Sequence, residues 1–322
     1  MLAFSQGVQG GRAGVQLVDS TSGEMRFDLV SSDGAPPATW AELFPDGSKL
    51  LTVDLCGVWK IWDMSEKFGA EPLRREYGGP CPLLYGAHRS LEPTVAISPC
   101  GKMFALGHGD VGGGPDDTDG VRLTTIWDTD TGEVRLTLPA TGGEEGSCCA
   151  SLSFSEDGTL LACVATDSNE ISIFDTASGA DERIIMDTGP VFAARFSLTD
   201  THRLASGGLG GVKIWDVKTG ERMLTLLEPQ SVDHHHADFK SLPVAFSPDG
   251  RLLASGAFDM VGVYVWDAYT GEKRLRVDAL SPLHRSFYHV TLAFSPNGKI
   301  LAAGQFGRGG TSRGRFCPCI SS

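Results

Sequence analysis

Three histidines stand side by side in SVDHHHADF, from Ser231, and four aspartates crowd the stretch from Asp110 to Asp119. Both residue types hold metal ions. Structural zinc, however, is bound by spaced pairs, and three adjacent side chains cannot all point at one ion without contorting the loop. Asp110, Asp116, Asp117 and Asp119 lack the spacing of a calcium-binding EF-hand loop and read as a solvated acidic loop. GHGDVG, from Gly107, has the form of the dinucleotide fingerprint, whose pyrophosphate needs a helix N-terminus beneath it. The GGPDDTDGV that follows cannot start a helix, so the segment reads as a lengthened hairpin. GTSRG, from Gly310, has the form of the hydrolase elbow, but Ser312 sits in a Gly and Arg tail with no helix after it. No set of His, Ser and Asp elsewhere forms a catalytic signature. The expectation is a chain that is not an enzyme, with no catalytic, cofactor-binding or metal-ligating residue.

What positions these side chains is a phrase written repeatedly along the chain. It reads IWDMSEKFG from Ile61, IWDTDTGEV from Ile126, IFDTASGAD from Ile173, VKIWDVKTGER from Val212 and VWDAYTGEK from Val265. The aspartates that end it, with Asp19 before them, are Asp63, Asp128, Asp175, Asp216 and Asp267, most of them 41 to 51 residues apart. A period near 40 to 45 with a W-D signature marks a propeller blade of four strands. Upstream of each phrase lies a second one, as in FPDGSKLLTV from Phe44, SPDGRLLASG from Ser247 and SPNGKILAAG from Ser295. Pro248 fits the second position of a type I turn and Gly250 the fourth, so each unit opens with a hairpin. In VKIWD, Val212 and Ile214 face one way and Lys213 and Trp215 the other, which makes a third strand. Asp216 ends it by accepting N–H bonds from the next turn, and Gly220 closes that turn. A fourth strand, such as RMLTLLE from Arg222, completes the unit at its outer edge. The unit ending at Asp128 is longer: Gly101 to Asp128 spans 27 residues, where Gly158 to Asp175 spans 17.

From about Val15 to about Gln305 the chain resembles the WD-repeat β-propeller family, because both phrases recur in order. The resemblance implies an all-β fold of four-stranded antiparallel blades. It also implies a polar network joining a Gly-His histidine, a serine or threonine, a hairpin aspartate and the tryptophan. Asp110, Asp167 and Asp259 match the hairpin aspartate, Gly210 replaces it in one unit, and His88 and His289 are the nearest histidines. Asp63, Asp128, Asp175, Asp216 and Asp267, with Trp62, Trp127, Trp215 and Trp266, are expected to be structural. Five units are complete. The N-terminus adds a third strand from Val15 and an outer strand near Met25, and the C-terminus adds a hairpin from His289 to Gln305. The expectation is one domain over residues 1–306, of six blades closed by pairing the two ends, followed by a disordered Gly/Arg/Cys tail over 307–322. MLAFSQG near the start repeats the second strand found as LAAGQFG near the end, and this leaves a piece of a seven-bladed ring as the alternative.

Composition limits the partners. With 41% hydrophobic and 21% charged residues the chain can bury a sizeable core. No uncharged apolar run reaches membrane-spanning length, and MLAFSQGVQGG carries no secretory pattern, so the expected location is the cytoplasm, or the nucleus. A net charge of −13 without a basic stripe argues against nucleic acid. Membrane contact would require lipidation of Cys319 in the terminal CISS, where Ser321 occupies a place that should be aliphatic. The eight cysteines are scattered through strand-like stretches and do not form a disulfide framework. The resemblance implies a protein-interaction scaffold whose rim loops grip proteins or peptides. Its expected contact residues are Tyr85, His88, Arg89, His234, His235, His236, His284, Arg285, Phe287 and Tyr288, of types enriched at interface hot spots. The rival is an enzyme or metal-binding propeller with a site in the central channel. The inner strands WAELF, TVAIS, SLSFS, AARFS, VAFS and TLAFS offer one Glu, one Arg and otherwise small or apolar residues, which favours the scaffold. A third possibility is a fragment of a larger multidomain WD-repeat protein.

Overall fold

A computed structural model of the chain describes residues 2–9, 12–18, 25–30, 38–54, 58–64, 74–75, 94–107, 124–139, 149–165, 168–227, 242–256, 262–277, 288–307 and 312–318. Every regular element among them is a β-strand. This follows from period-two runs of Val, Ile, Leu and aromatic residues cut every few residues by Gly, Pro, Asp or Ser.

The chain falls into two compact units, Met1–Ala140 and Thr141–Ser322. In the first, β1 (Leu2–Gln9), β2 (Arg12–Val18) and β3 (Met25–Val30) form a three-stranded sheet. Next come β4 (Ala38–Leu43), β5 (Lys49–Asp54), β6 (Trp59–Asp63) and the short β7 (Arg74–Arg75), hydrogen-bonded in chain order. A second four-stranded sheet follows, of β8 (Thr94–Ile97), β9 (Met103–Gly107), β10 (Thr124–Asp128) and β11 (Val134–Leu138).

The second unit repeats the pattern three times. The first copy is β12 (Cys149–Phe154), β13 (Leu160–Ala165), β14 (Glu170–Asp175) and β15 (Asp181–Met186). The next is β16 (Val191–Phe196), β17 (Arg203–Gly208), β18 (Gly211–Asp216) and β19 (Arg222–Leu227). The third is β20 (Val244–Phe246), β21 (Leu252–Gly256), β22 (Val263–Asp267) and β23 (Lys273–Val277). A three-stranded sheet of β24 (Tyr288–Phe294), β25 (Ile300–Gly307) and β26 (Ser312–Pro318) ends the unit.

The four-stranded sheets have their apolar faces covered in the middle, and β11, β15, β19 and β23, the last strands of four of them, are only partly covered. β18 is buried from Gly211 to Trp215, whereas β15 and β19 begin with exposed residues. The alternation expected for VKIWD holds. Trp215 packs with Ile171, Ile173 and Ala162 of the preceding sheet, while Val212 and Ile214 pack with Leu242, Val244 and Trp266 of the next. The opening hairpins turn as their sequence dictates: Gly250 N–H donates to Ser247 C=O at 2.8 Å, with Gly250 at φ +68°. Ser247 Oγ accepts from Leu252 N–H at 2.9 Å and donates to Asp249, which locks the turn from inside.

The ends differ from the shared blade expected of them. β1 pairs with β2 and leaves β2 between two partners, and β26 does the same for β25. The edges that were to join each other are therefore filled by neighbours in the chain, and no ladder among the described residues links one end to the other. β26 lies within the 307–322 tail.

Candidate functional site

The third strand of each four-stranded sheet carries an aromatic ring whose polar needs follow a register rule. A ring at one position of that strand faces a residue of the second strand, and the side chain two places further along is the acceptor for an indole N–H. Trp62 pairs with Leu50 and donates to Thr52 Oγ1 at 2.9 Å. Trp215 pairs with Leu204 and donates to Ser206 Oγ at 2.8 Å, and Trp266 pairs with Leu253 and donates to Ser255 Oγ at 2.9 Å. In β14 the ring is Phe174, which has no N–H, and the acceptor place holds Cys163. The sheet of β8–β11 breaks the rule: Trp127 pairs with Phe104, the acceptor place is Leu106, and Trp127 Nε1 is buried without a partner. Trp127 instead joins an aromatic cluster with Trp59 and Phe104, its centroid 5.2 Å from that of Trp59.

In β18 the network goes further. Ser206 Oγ, having accepted from Trp215, donates to Asp187 Oδ2 at 2.9 Å. Asp187 also pairs with Lys213 Nζ, and Lys213 donates to Thr188 Oγ1 at 2.7 Å. Both charged side chains are 1% exposed. Gly210, noted as standing where a hairpin aspartate is expected, leaves room for this pair: a Cβ there would meet Asp187 Oδ1, Thr188 Oγ1 and Lys213 Nζ at 2.6 to 2.9 Å. The cation that replaces the histidine comes from the third strand itself. The alternation of β18 puts Lys213 on the tryptophan face, but its acid, Asp187, lies 26 residues earlier, before β16.

Asp128, Asp175, Asp216 and Asp267, four of the aspartates expected to be structural, sit at the turns that follow third strands. Asp128 Oδ1 accepts N–H bonds from Asp130 and Thr131, Asp175 from Ala177 and Ser178, and Asp267 from Tyr269 and Thr270. Asp216 accepts one, from Thr219. Asp267 is held well below the usual carboxylate range, foremost by the Arg274 guanidinium at 2.9 Å and then by Thr270 N–H. Thr131 N–H lowers Asp128, and the Ser178 hydroxyl lowers Asp175. Asp63 is the last residue of β6.

Turns of neighbouring sheets meet at this rim. Arg203, 5% exposed at the start of β17, donates Nη2 to Ala268 C=O at 2.9 Å under the Tyr269 ring, 4.0 Å from its centroid, and its Nη1 is buried without a partner. Tyr269 itself is 56% exposed. Beyond the same turn, a cleft of about 790 Å³ opens between the sheets β20–β23 and β24–β26.

The inner strands hold no convergent acid and base among the described residues. Glu42 is exposed, and Arg195 is spent on Ser151 Oγ at 2.5 Å and Leu152 C=O at 3.1 Å of the neighbouring inner strand. No group of three or more His, Cys, Asp or Glu among the described residues could hold a metal ion. Of the expected contact residues, Tyr85, His88, Arg89, His234, His235, His236, His284, Arg285 and Phe287 lie outside the described residues, as do Asp110, Asp116, Asp117, Asp119 and Cys319. Tyr288 opens β24 and pairs with Gly307.

Residues 230–261, which include β20 and β21, match the WD domain, G-beta repeat family. The chain is 29% identical over 143 residues to guanine nucleotide-binding protein subunit beta-5b of Danio rerio, a match covering 42% of this chain and 33% of that protein. It is 31% identical over 135 residues to WD repeat-containing protein SL1-17 of Schistosoma mansoni, covering 42% and 40%. It is 29% identical over 135 residues to periodic tryptophan protein 2 of Arabidopsis thaliana, covering 41% and 14%. The matched part thus spans well under half of each of these relatives.

Proposed function

We propose, for a chain of the WD-repeat family, the function of a protein-interaction scaffold. Its repeated sheets act as propeller blades that hold turns and loops in fixed places for protein or peptide partners. The observation that carries this reading is how the rim turns are built. Among the described residues, the turns after β10, β14, β18 and β22 are each locked from within by an aspartate and a glycine, so their outward side chains are presented at little cost in ordering. One of the matched relatives is by its name a subunit of a guanine nucleotide-binding protein, which fits a part played within an assembly. The inner strands, with Arg195 already bonded to its neighbours, give a central-channel enzyme little to work with. Each end forms a sheet of its own, which favours seven blades over the six expected.

The test is affinity capture on the purified chain with crosslinking, followed by calorimetry against each captured protein after separate purification. The scaffold reading expects saturable binding of at least one of them at fixed stoichiometry. A chain that binds none is not a scaffold.

A further inference from the structure

We infer that the cleft between the sheets β20–β23 and β24–β26 seats a tryptophan side chain carried by an uncharged, extended segment of a protein partner. The inference rests on the scaffold reading and gives the partner its chemistry. Trp62, Trp127, Phe174, Trp215 and Trp266 hold one and the same register in the five four-stranded sheets, each paired with a large apolar residue of the second strand. In the last sheet the residue paired with Leu301 at that register is Cys317. The last sheet therefore has no ring of its own to lay on the sheet before it.

The neighbouring sheets show what such a ring covers. Trp266 shares one core cluster with Ile214 and Leu224 of the sheet before it, which face each other across β18 and β19. Val265 and Leu275 face each other across β22 and β23 in the same way, and beside them lies the cleft, about 790 Å³, with Leu252 completing an apolar floor. That volume admits an indole and the residues flanking it. The rim is charged but balanced: Arg251, Arg274 and Lys299 stand against Asp249, Asp267 and Glu272, the last paired with Arg274. A charged side chain would give up its water over the apolar floor and gain nothing from a rim without net charge. An uncharged ring instead supplies the apolar area that Trp266 supplies one sheet earlier. Four of the five rings at this register are tryptophan, which sets the size of the side chain the cleft is shaped to take.

The experiment uses the full chain and two labelled hexapeptides of serine, threonine and valine, one with a central tryptophan and the other with alanine in its place. Fluorescence anisotropy is read at low and moderate salt. The tryptophan peptide is expected to bind at least tenfold more tightly than the alanine peptide, to change within about twofold with salt, and to weaken at least tenfold in Leu275→Glu. Met223→Glu, a change at an exposed apolar residue of β19 outside the cleft, should leave it within about twofold. Melting curves establish that the variants fold, and Leu275→Gln replaces Leu275→Glu if that variant does not. The inference is overturned if the tryptophan peptide fails to bind at millimolar concentration, binds no better than the alanine peptide, or binds the Leu275 variant as well as the wild type. A wild type that sediments as a dimer, with a monomeric Leu275 variant, would also overturn it by giving the cleft to a second copy of the chain. In those cases proteins captured by both the wild type and the Leu275 variant would leave the scaffold reading standing. A wild-type chain that captures nothing would remove it independently.

Discussion

At the residue scale, each sheet is a small experiment on the same polar contact. Where the acceptor place holds Ser or Thr the indole is satisfied, and where it holds Leu106 the Trp127 N–H is left buried and alone. Leu106→Thr should therefore cost less than a buried leucine loss normally does, because it supplies that acceptor. In a double-mutant cycle with Trp127→Phe, the penalty for Leu106→Thr should be larger in the Phe background by about 0.5–1.5 kcal/mol, the net worth of one hydrogen bond. Equal penalties by urea denaturation would show that the threonine never reaches the ring. The Asp187–Lys213 pair gives a second case. Removing one member leaves an unpaired buried charge, so Lys213→Met should cost about 3–5 kcal/mol. Lys213→Met/Asp187→Leu should cost clearly less than the sum of its single changes, and strict additivity would deny the pairing. The tryptophans, their strand and the glycine gap at Gly210 were all legible in the sequence. The acid that answers Lys213 was not, because no local spacing connects Asp187 to the third strand after it.

Among elements, the turns after the third strands differ in ways their shared W-D phrase conceals. Asp267 accepts two N–H bonds and an arginine, whereas Asp216 accepts one N–H. Asp267→Ala should cost about 1 kcal/mol and Asp216→Ala a few tenths, on the scale of other side-chain caps. A carboxyl whose pKa is depressed on folding adds stability above its unfolded value, near 4, and loses it as pH falls through the folded value. Wild-type stability should thus decline as pH drops below about 4, and Asp267→Asn should flatten that decline, as followed by chemical denaturation from pH 6 to 2. An unchanged slope would mean that Asp267 keeps its ordinary pKa. The hairpins were read correctly because Pro, Asp and Gly at fixed offsets leave one turn geometry open, as at Ser247–Gly250. The terminal strands were harder, since β1 and β26 lack the phrases that mark the complete units, and pairing with a chain neighbour competes with pairing between distant ends.

At the scale of the whole molecule, the two end sheets are the ones with three strands. Each is short of a strand, so each depends on the packing of its faces more than the four-stranded sheets do. Removing residues 1–30 deletes β1 to β3, and if that sheet is a working blade the shortened chain should melt several degrees lower than the full one. An unchanged melting curve would make the N-terminal sheet an appendage. If rigid sheets present partners with preformed turns, hydrogen exchange on the full chain, free and bound to a captured protein, will show it. New protection is expected only in turns and loops, with the amides of β12 to β22 already slow in the free chain and unchanged on binding. Widespread slowing of those strand amides would contradict it, because the sheets would then be folding around the partner instead of holding a surface ready for it.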